Sequence, residues 1–406
     1  MERSAARSAT SLILPVLCLC SFAVPFNNYI LSPILVDVSN DLGVSLATGG
    51  LLGTIFAVPA ATMALVMGPL SDKYGRRPVL VFGVAMLALA NLLSALAWSY
   101  PALAVFRFLG GFGTAALSPT MFAAVGDAFD YRQRGRAIGI LMSSNTMAMA
   151  LGIPIAAVLA GLFHWRVAYG FLAVSLLIAL VVLWTQYPRI KRPESSPPLS
   201  TYFREYAGLY GDPSVLSIYI CIILNGVGYV AWLTYMGAFF VERFGLATQN
   251  LALVTAALGF GVVAGANLGG RIGDRIGGHK GITVASGFLA AAALLVQTHL
   301  VPWVALGAFV NFVFGFPMGA RFTSMLTMLS EQNPDARGRL LAMNTNGFQA
   351  GVVVGAALGG QIVERAGYGM LGIVGAVLIA LSGVVVWIGA QERTRAPSSS
   401  LLVGEG

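Results

Sequence analysis

Gly68-Pro-Leu-Ser-Asp72-Lys-Tyr-Gly75-Arg76-Arg77 decides how this chain is read, because its pattern returns. Gly270-Arg-Ile-Gly-Asp274-Arg-Ile-Gly277-Gly-His-Lys280 repeats the Gly-x-x-x-Asp-x-x-Gly spacing about 202 positions later. Arg134-Gly-Arg-Ala137 and Arg337-Gly-Arg-Leu340 recur at an offset of 203. Each copy of the longer element lies between two apolar runs. Two halves of similar build, in the same orientation, are expected.

Composition fixes the solvent around those halves. Of 406 residues, 57% are hydrophobic and 10% charged, and the mean hydropathy is +0.80. Soluble domains carry about 25% charged residues, so a soluble globular enzyme is excluded. Glycine is abundant, with 49 residues, as suits membrane helices whose backbones touch. The three cysteines, Cys18, Cys20 and Cys221, all lie in apolar runs and form neither a disulfide framework nor a metal site.

A helix needs about 20 apolar residues to cross the hydrocarbon core. Twelve runs qualify, near 11–36, 47–70, 79–98, 102–126, 137–161, 167–187, 213–240, 250–271, 281–299, 302–328, 339–362 and 368–390. The first is too long for a cleaved leader. An all-α membrane protein of two pseudo-symmetric six-helix bundles follows. The amino-terminal bundle covers 1–187, a cytoplasmic linker 188–212, and the carboxy-terminal bundle with its short tail 213–406. Within the linker, Arg189, Lys191, Arg192, Pro193, Pro197 and Pro198 suit a solvated tether. Tyr202, Phe203, Tyr206, Leu209 and Tyr210 fit either a surface helix or plain linker.

Lysine and arginine orient the chain. With the amino terminus inside, 19 of the 24 basic residues fall in internal segments, from Arg3 and Arg7 to Arg393 and Arg395. Arg166, Arg243 and Arg365 fall outside, while Arg107 and Arg321 lie within spans. That bias places both termini in the cytoplasm and the chain in the cell inner membrane. The net charge of +8 reflects those loops, and nucleic acid is not an expected partner.

These residues resemble the major facilitator superfamily over nearly the whole chain. Gly68, Asp72, Gly75, Arg76 and Arg77 match its signature between spans two and three. Arg107-Phe-Leu-Gly110-Gly111-Phe-Gly113-Thr-Ala-Ala116 is similar to its fourth-span motif, with Gly110 where the family has glutamine. Gly152-Ile-Pro154, followed by His164-Trp165-Arg166, resembles the motif of twelve-span drug:proton antiporters of the sugar and chloramphenicol efflux type. The resemblance implies the major facilitator fold, efflux by proton antiport and alternating access. That branch often carries the proton on an acid in span one, but here Phe26-Asn27-Asn28-Tyr29 has none.

Candidate sites follow. Gly75 permits a tight turn, and Asp72 and Asp127 can both pair with Arg76 through strong charge-assisted hydrogen bonds. Gly68, Asp72, Gly75, Arg76, Arg77 and Asp127 read as a conformational latch between halves, or as topology-setting charges alone. Small residues recur every fourth position at Gly49, Gly53 and Ala57, at Gly261, Gly265 and Gly269, at Ala148, Gly152 and Ala156, and at Gly351, Gly355 and Gly359. Gly53, Gly152, Pro154, Gly265 and Gly355 are expected along a sliding seam between bundles, or in ordinary close packing.

A buried membrane charge is expensive and usually functional. Arg107, with Asn27, Asn28, Asn145, Asn225, Trp232, Tyr235, Asn311, Arg321 and Asn346, makes the candidate substrate cavity. Arg107 also fits a structural brace, Arg321 a snorkelling residue, and each polar residue a helix bridge. Asp37 is the proton-coupling candidate. His164, His279 and His299 are far apart, and no nucleotide-binding fingerprint stands at a strand-to-helix turn. No metal, cofactor or catalytic residue is expected, and the chain is not read as an enzyme.

The expected function is secondary export of small amphipathic molecules, as in drug or metabolite efflux, with protons exchanged. An organic-anion transporter using the embedded arginines is the alternative, and a non-transporting receptor a remote one. Expected partners are a small-molecule substrate, the lipid bilayer and protons, with the protein a monomer.

Overall fold

The computed structural model describes residues 2–187, 199–276, 278–333 and 336–392. Arg189, Lys191, Arg192, Pro193, Pro197, Pro198, Gly277, Arg393 and Arg395 lie outside the described residues. The side chains of Arg3, Arg7, Arg132, Tyr202, Phe203 and Arg337 do too.

Proline chemistry shapes the first half. α1 (Glu2–Tyr29) meets α2 (Leu31–Asp41) at a 48° bend. The span read near 11–36 is therefore bent, and it runs on to Asp41. Pro33 offers no N–H to the Tyr29 carbonyl and its ring crowds that turn, so the helix breaks there. Pro25 likewise leaves the Ser21 carbonyl without its helical donor, and Asn145 Nδ2 supplies one at 3.4 Å.

α3 (Leu46–Tyr74) starts at Ser45, whose side chain accepts from the Thr48 N–H at 3.1 Å, a cap that satisfies one orphan donor. Gly75, at φ +94°, turns the chain into α4 (Arg76–Ala95). α5 (Tyr100–Ala128) follows, capped by Ser99. α6 (Tyr131–Met147) passes through a π-helical turn at Ala148–Gly152 into α7 (Ile153–Leu162). Pro154 withholds the donor that the Ala150 carbonyl needs, and the wider turn absorbs the defect. α8 (Trp165–Gln186) completes the half.

α9 (Leu199–Tyr210) is helical, which settles that segment against plain linker. α10 (Pro213–Phe244) begins under an Asp212 cap and ends at Gly245, in the left-handed region. A single turn (Thr248–Asn250) leads into α11 (Leu251–Ile276). α12 (Lys280–His299), α13 (Val304–Gln332) and α14 (Arg337–Gly389) finish the chain.

Ten helical stretches among the described residues are long and apolar enough to cross a bilayer. The bent α1–α2 pair adds one span, and Gly367 at φ +75° divides α14 into two. Twelve spans result. Between the two groups of helices, α3 packs on α14, α2 on α10, and α11 on α7 and the π turn.

Candidate functional site

The Gly68–Arg77 loop is built around one guanidinium. Arg76 Nη1 donates to Asp72 Oδ1 at 2.5 Å and to Ser71 Oγ at 2.6 Å, while Nε donates to Asp127 Oδ2 at 2.9 Å. Arg77 donates to the Trp184 carbonyl and stands 5.8 Å from that indole ring. Tyr187 is buried beside this cluster. All the partners given for Arg76 belong to the first half, so this guanidinium ties α3, α4 and α5 together.

The second copy is wired differently. Asp274 faces His279 Nε2 at 3.7 Å. Glu392 Oε1, beyond the last span, accepts from the backbone N–H groups of His279 and of Lys280, the latter at 2.6 Å. Carboxylates favour a helix N-terminus, so here the tail caps α12.

At the opposite end of the molecule, the far end, Asp41 receives Arg166 Nη1 at 2.6 Å and Trp165 Nε1 at 3.1 Å. Arg166 Nη2 also donates to the Ala97 carbonyl at 2.7 Å. The His164-Trp165-Arg166 motif thus brackets α2, α8 and the α4–α5 connection.

Arg107 is 2% exposed. Its Nη1 donates to the Asn27 carbonyl at 3.1 Å and to Asn27 Oδ1 at 3.3 Å, and its plane lies 4.4 Å from the Phe56 ring centre. Nε and Nη2 are buried without a partner. Arg321, 0% exposed, is held inside the second half. Nη1 donates to the Thr283 carbonyl at 2.5 Å, and Nη2 to Ser382 Oγ at 2.5 Å and Cys221 Sγ at 3.1 Å. Snorkelling is therefore corrected for Arg321: three acceptors on α10, α12 and α14 surround the fork, and it does not extend to the surface.

The other cavity candidates scatter. Asn28 lines a narrow cavity between halves, with Tyr29, Ser32, Gly53, Thr234, Val352 and Ala356 around it and room for about one water molecule (≈ 20 Å³). Asn28 Oδ1, Trp232 Nε1 and Asn225 Oδ1 are buried without partners. Tyr235 donates to the Ala356 carbonyl at 3.0 Å, and Asn311 Nδ2 lies 3.3 Å from Met236 Sδ. Asn346 bridges: it accepts from Tyr219 at 2.7 Å and donates to the Ala61 carbonyl, in the other half, at 2.8 Å. Sequence reasoning missed Ser32, Thr234, Phe56 and Tyr169, whose ring centre lies 5.9 Å from the Arg107 guanidinium. Nothing in a lone serine, threonine or aromatic of an apolar run marks which face it takes.

Most bonds between halves gather toward the far end. Ser32 donates to the Leu233 carbonyl, and Thr54 to Val353 O at 2.9 Å. Thr248 donates to Asp37 Oδ1 at 3.2 Å, and the Ala47 N–H to Glu364 Oε1 at 3.2 Å. Gly53 sits here, with room for a Cβ only 3.3 Å from Ala356. Three seam candidates are corrected. Gly152 faces Phe22 and Phe26 of α1, Gly265 faces Phe316 of α13, and Gly355 faces Val227 and Ala231 of α10, each in its own half. Pro154 lies in a groove wall between α7 and α11. A stripe of small residues lets any neighbour approach, so its spacing does not say which helix comes.

The comparisons fit this architecture. The family model described as Major Facilitator Superfamily matches residues 17–318 and 253–402. An uncharacterised transporter of that type from Bacillus subtilis, YceJ, is 26% identical over 348 residues, covering 84% of this chain and 87% of its own. Chloramphenicol resistance protein CraA of Acinetobacter baumannii is 25% identical, over 84% of this chain and 86% of its own. A probable sugar efflux transporter of Helicobacter pylori is 24% identical, over 89% of this chain and 91% of its own. The solved D-xylose-proton symporter superposes with a TM-score of 0.73 at 16% identity, covering 94% of this chain and 98% of that one, so the fold of twelve helices in two six-helix bundles is shared. With its repeated loop, its twelve spans and a family match running through both halves, the chain belongs to the Major Facilitator Superfamily of membrane transporters.

Proposed function

We propose that the protein exports small amphipathic molecules across the cell inner membrane by alternating access, with protons moving the other way. The observation that carries this reading is the uneven seam. Among the described residues, four hydrogen bonds between halves lie toward the far end, against the Tyr229–Met149 contact and the Asn346–Ala61 bond deeper in the molecule. Such an arrangement suits a state closed outside, in which two bundles rock about a midplane site. The basic bias of the loop end makes that end cytoplasmic, with bundles 1–187 and 213–406 joined by the linker 188–212. The names of the chloramphenicol and sugar efflux relatives support export of small amphipathic cargo.

In this reading the Arg76 cluster keeps the loop end of the first half rigid, as a latch element. Asp37 is the proton-coupling candidate, because it is half-buried and its bond to Thr248 crosses the seam. Purified protein in liposomes tests the proposal. Labelled chloramphenicol is expected to move against an imposed proton gradient and to stop when an ionophore collapses it. Flux that ignores the gradient would remove proton exchange, and absence of flux would remove this cargo.

A second reading, organic-anion transport, is favoured by one observation. Arg107 keeps two buried nitrogens unpartnered, and a guanidinium fork matches a carboxylate. Labelled carboxylates in the same liposomes distinguish it.

A further inference from the structure

Arg107 carries a charge that none of the helices touching it can balance. Asn27 of α1, Phe56 of α3 and Tyr169 of α8 surround it. The carboxylates on those helices and on α5 are Glu2, Asp72 and Asp127. Each lies about 24 Å or more along its helix from the residue at the guanidinium, at 1.5 Å per residue. α4 and α6, which also pack on α5, have no carboxylate. A guanidinium stays protonated in a protein, so its burial must be compensated by acceptors or by a counter-ion.

The unmet donors lie together. Nη1 is taken by Asn27, and the nitrogens without a partner are Nε and Nη2. Those two form one edge of the planar group, with N–H bonds running side by side. Beside it, Asn27 Nδ2 and the Tyr169 hydroxyl are further buried groups without partners, on residues 1% and 0% exposed. The helix of Arg107 cannot fill the edge. Its neighbours one turn away, Leu103, Ala104, Gly110 and Gly111, carry no side-chain acceptor. Arg321 meets the same demand with neutral acceptors on its Nη1 and Nη2 end, which leaves Nε alone. Around Arg107, water would satisfy the N–H groups but bring no charge.

We propose that the first half binds a small monovalent anion, a halide such as chloride, on the Nε–Nη2 edge of Arg107, with Asn27 and Tyr169 as further donors. A halide is a single atom that accepts from both N–H groups at once and neutralises the guanidinium. A carboxylate offers the same charge but needs a path for its carbon chain, and Phe56, over the guanidinium plane, is itself 1% exposed. Halide binding does not depend on export. In the organic-anion reading, cargo would compete for the same edge.

The test uses purified full-length protein and radiolabelled chloride. Binding is expected to saturate at one ion per chain. The melting temperature is expected to climb to a plateau as sodium chloride replaces sodium methanesulfonate at constant ionic strength, because a ligand of the folded state stabilises it. Bromide is expected to compete. Arg107→Gln is expected to abolish saturable binding. Tyr169→Phe, which removes one hydroxyl and keeps the ring, is expected to weaken it several-fold. Absence of saturable chloride binding overturns the site, as does binding unchanged in every variant that folds. Acetate that saturates the edge where chloride does not also overturns it, and leaves the organic-anion reading standing. Binding is read without transport, so a failed uptake assay and a failed halide site remain distinguishable.

Discussion

Arg107 and Arg321 are the two arginines inside spans, one in each half, and they are not equivalent. Arg321 has its charge spread over Thr283, Ser382 and Cys221, acceptors on three helices, and leaves only Nε among its buried nitrogens without a partner. Arg107 spends one nitrogen on Asn27, rests its plane on Phe56 and leaves two nitrogens buried and unpartnered. Hydrogen bonds to a charged group are each worth about 1.5–3 kcal/mol, and an unmet buried donor costs a similar amount. The second half has used its arginine for cohesion. The first half keeps its arginine under-bonded, the arrangement expected if Arg107 serves the proposed cargo site.

The comparison breaks first at Arg321. Arg321→Lys keeps the charge but not the fork, and its single amine does not span three acceptors. A loss on the order of 2–4 kcal/mol is expected, read as a lowered melting temperature of purified protein. A variant as stable as the parent would end the claim that Arg321 braces the second half.

Arg107→Gln comes next. It is expected to reduce transport on the order of tenfold, about 1.4 kcal/mol, while lowering the melting temperature less than Arg321→Lys does. If both variants shift stability alike and uptake of every substrate falls together, the two arginines share one role. Arg107→Lys sharpens the result, because only a carboxylate cargo notices loss of the planar fork.

The two loops make a smaller version of the same contrast. Asp72→Asn weakens an ion pair with Arg76, which also holds Asp127. Asp274 pairs with His279 at 3.7 Å and is largely exposed. Transport is expected to fall for Asp72→Asn by several-fold and to change little for Asp274→Asn, since exposed pairs are worth about 0–1 kcal/mol. Equal losses in proteoliposomes would mean that the repeat, rather than its local wiring, carries the effect.

The smallest expected effect is at the seam. Gly152→Leu meets Phe22 and Phe26 within its own half, so it is expected to reduce stability without changing how far-end labels interchange. Gly259→Ala would press a methyl into the Met149–Ala150 backbone of the other half, and is expected to shift the far-end distance distribution. Spectroscopic distances between labels on the two halves separate these outcomes.

Sequence alone determined the twelve-span, two-half plan. Crossing hydrocarbon demands about 20 apolar residues for every helix, and the offset of 202 to 203 between copies is visible without coordinates. It also suggested the Arg76–Asp72–Asp127 grouping, since Gly75 permits the turn and Asp72 and Asp127 stand where two spans of the first half end. Tertiary structure alone decided which neighbour each small residue meets. It turned Gly152, Gly265 and Gly355 inward and left Gly53 on the boundary. It decided the fates of Arg107 and Arg321, because a buried charge is defined by acceptors contributed from helices far away in the chain. It also placed the 48° bend at Ile30 and the groove beside Pro154. A proline announces a lost hydrogen bond, but packing chooses whether the helix bends or widens around it.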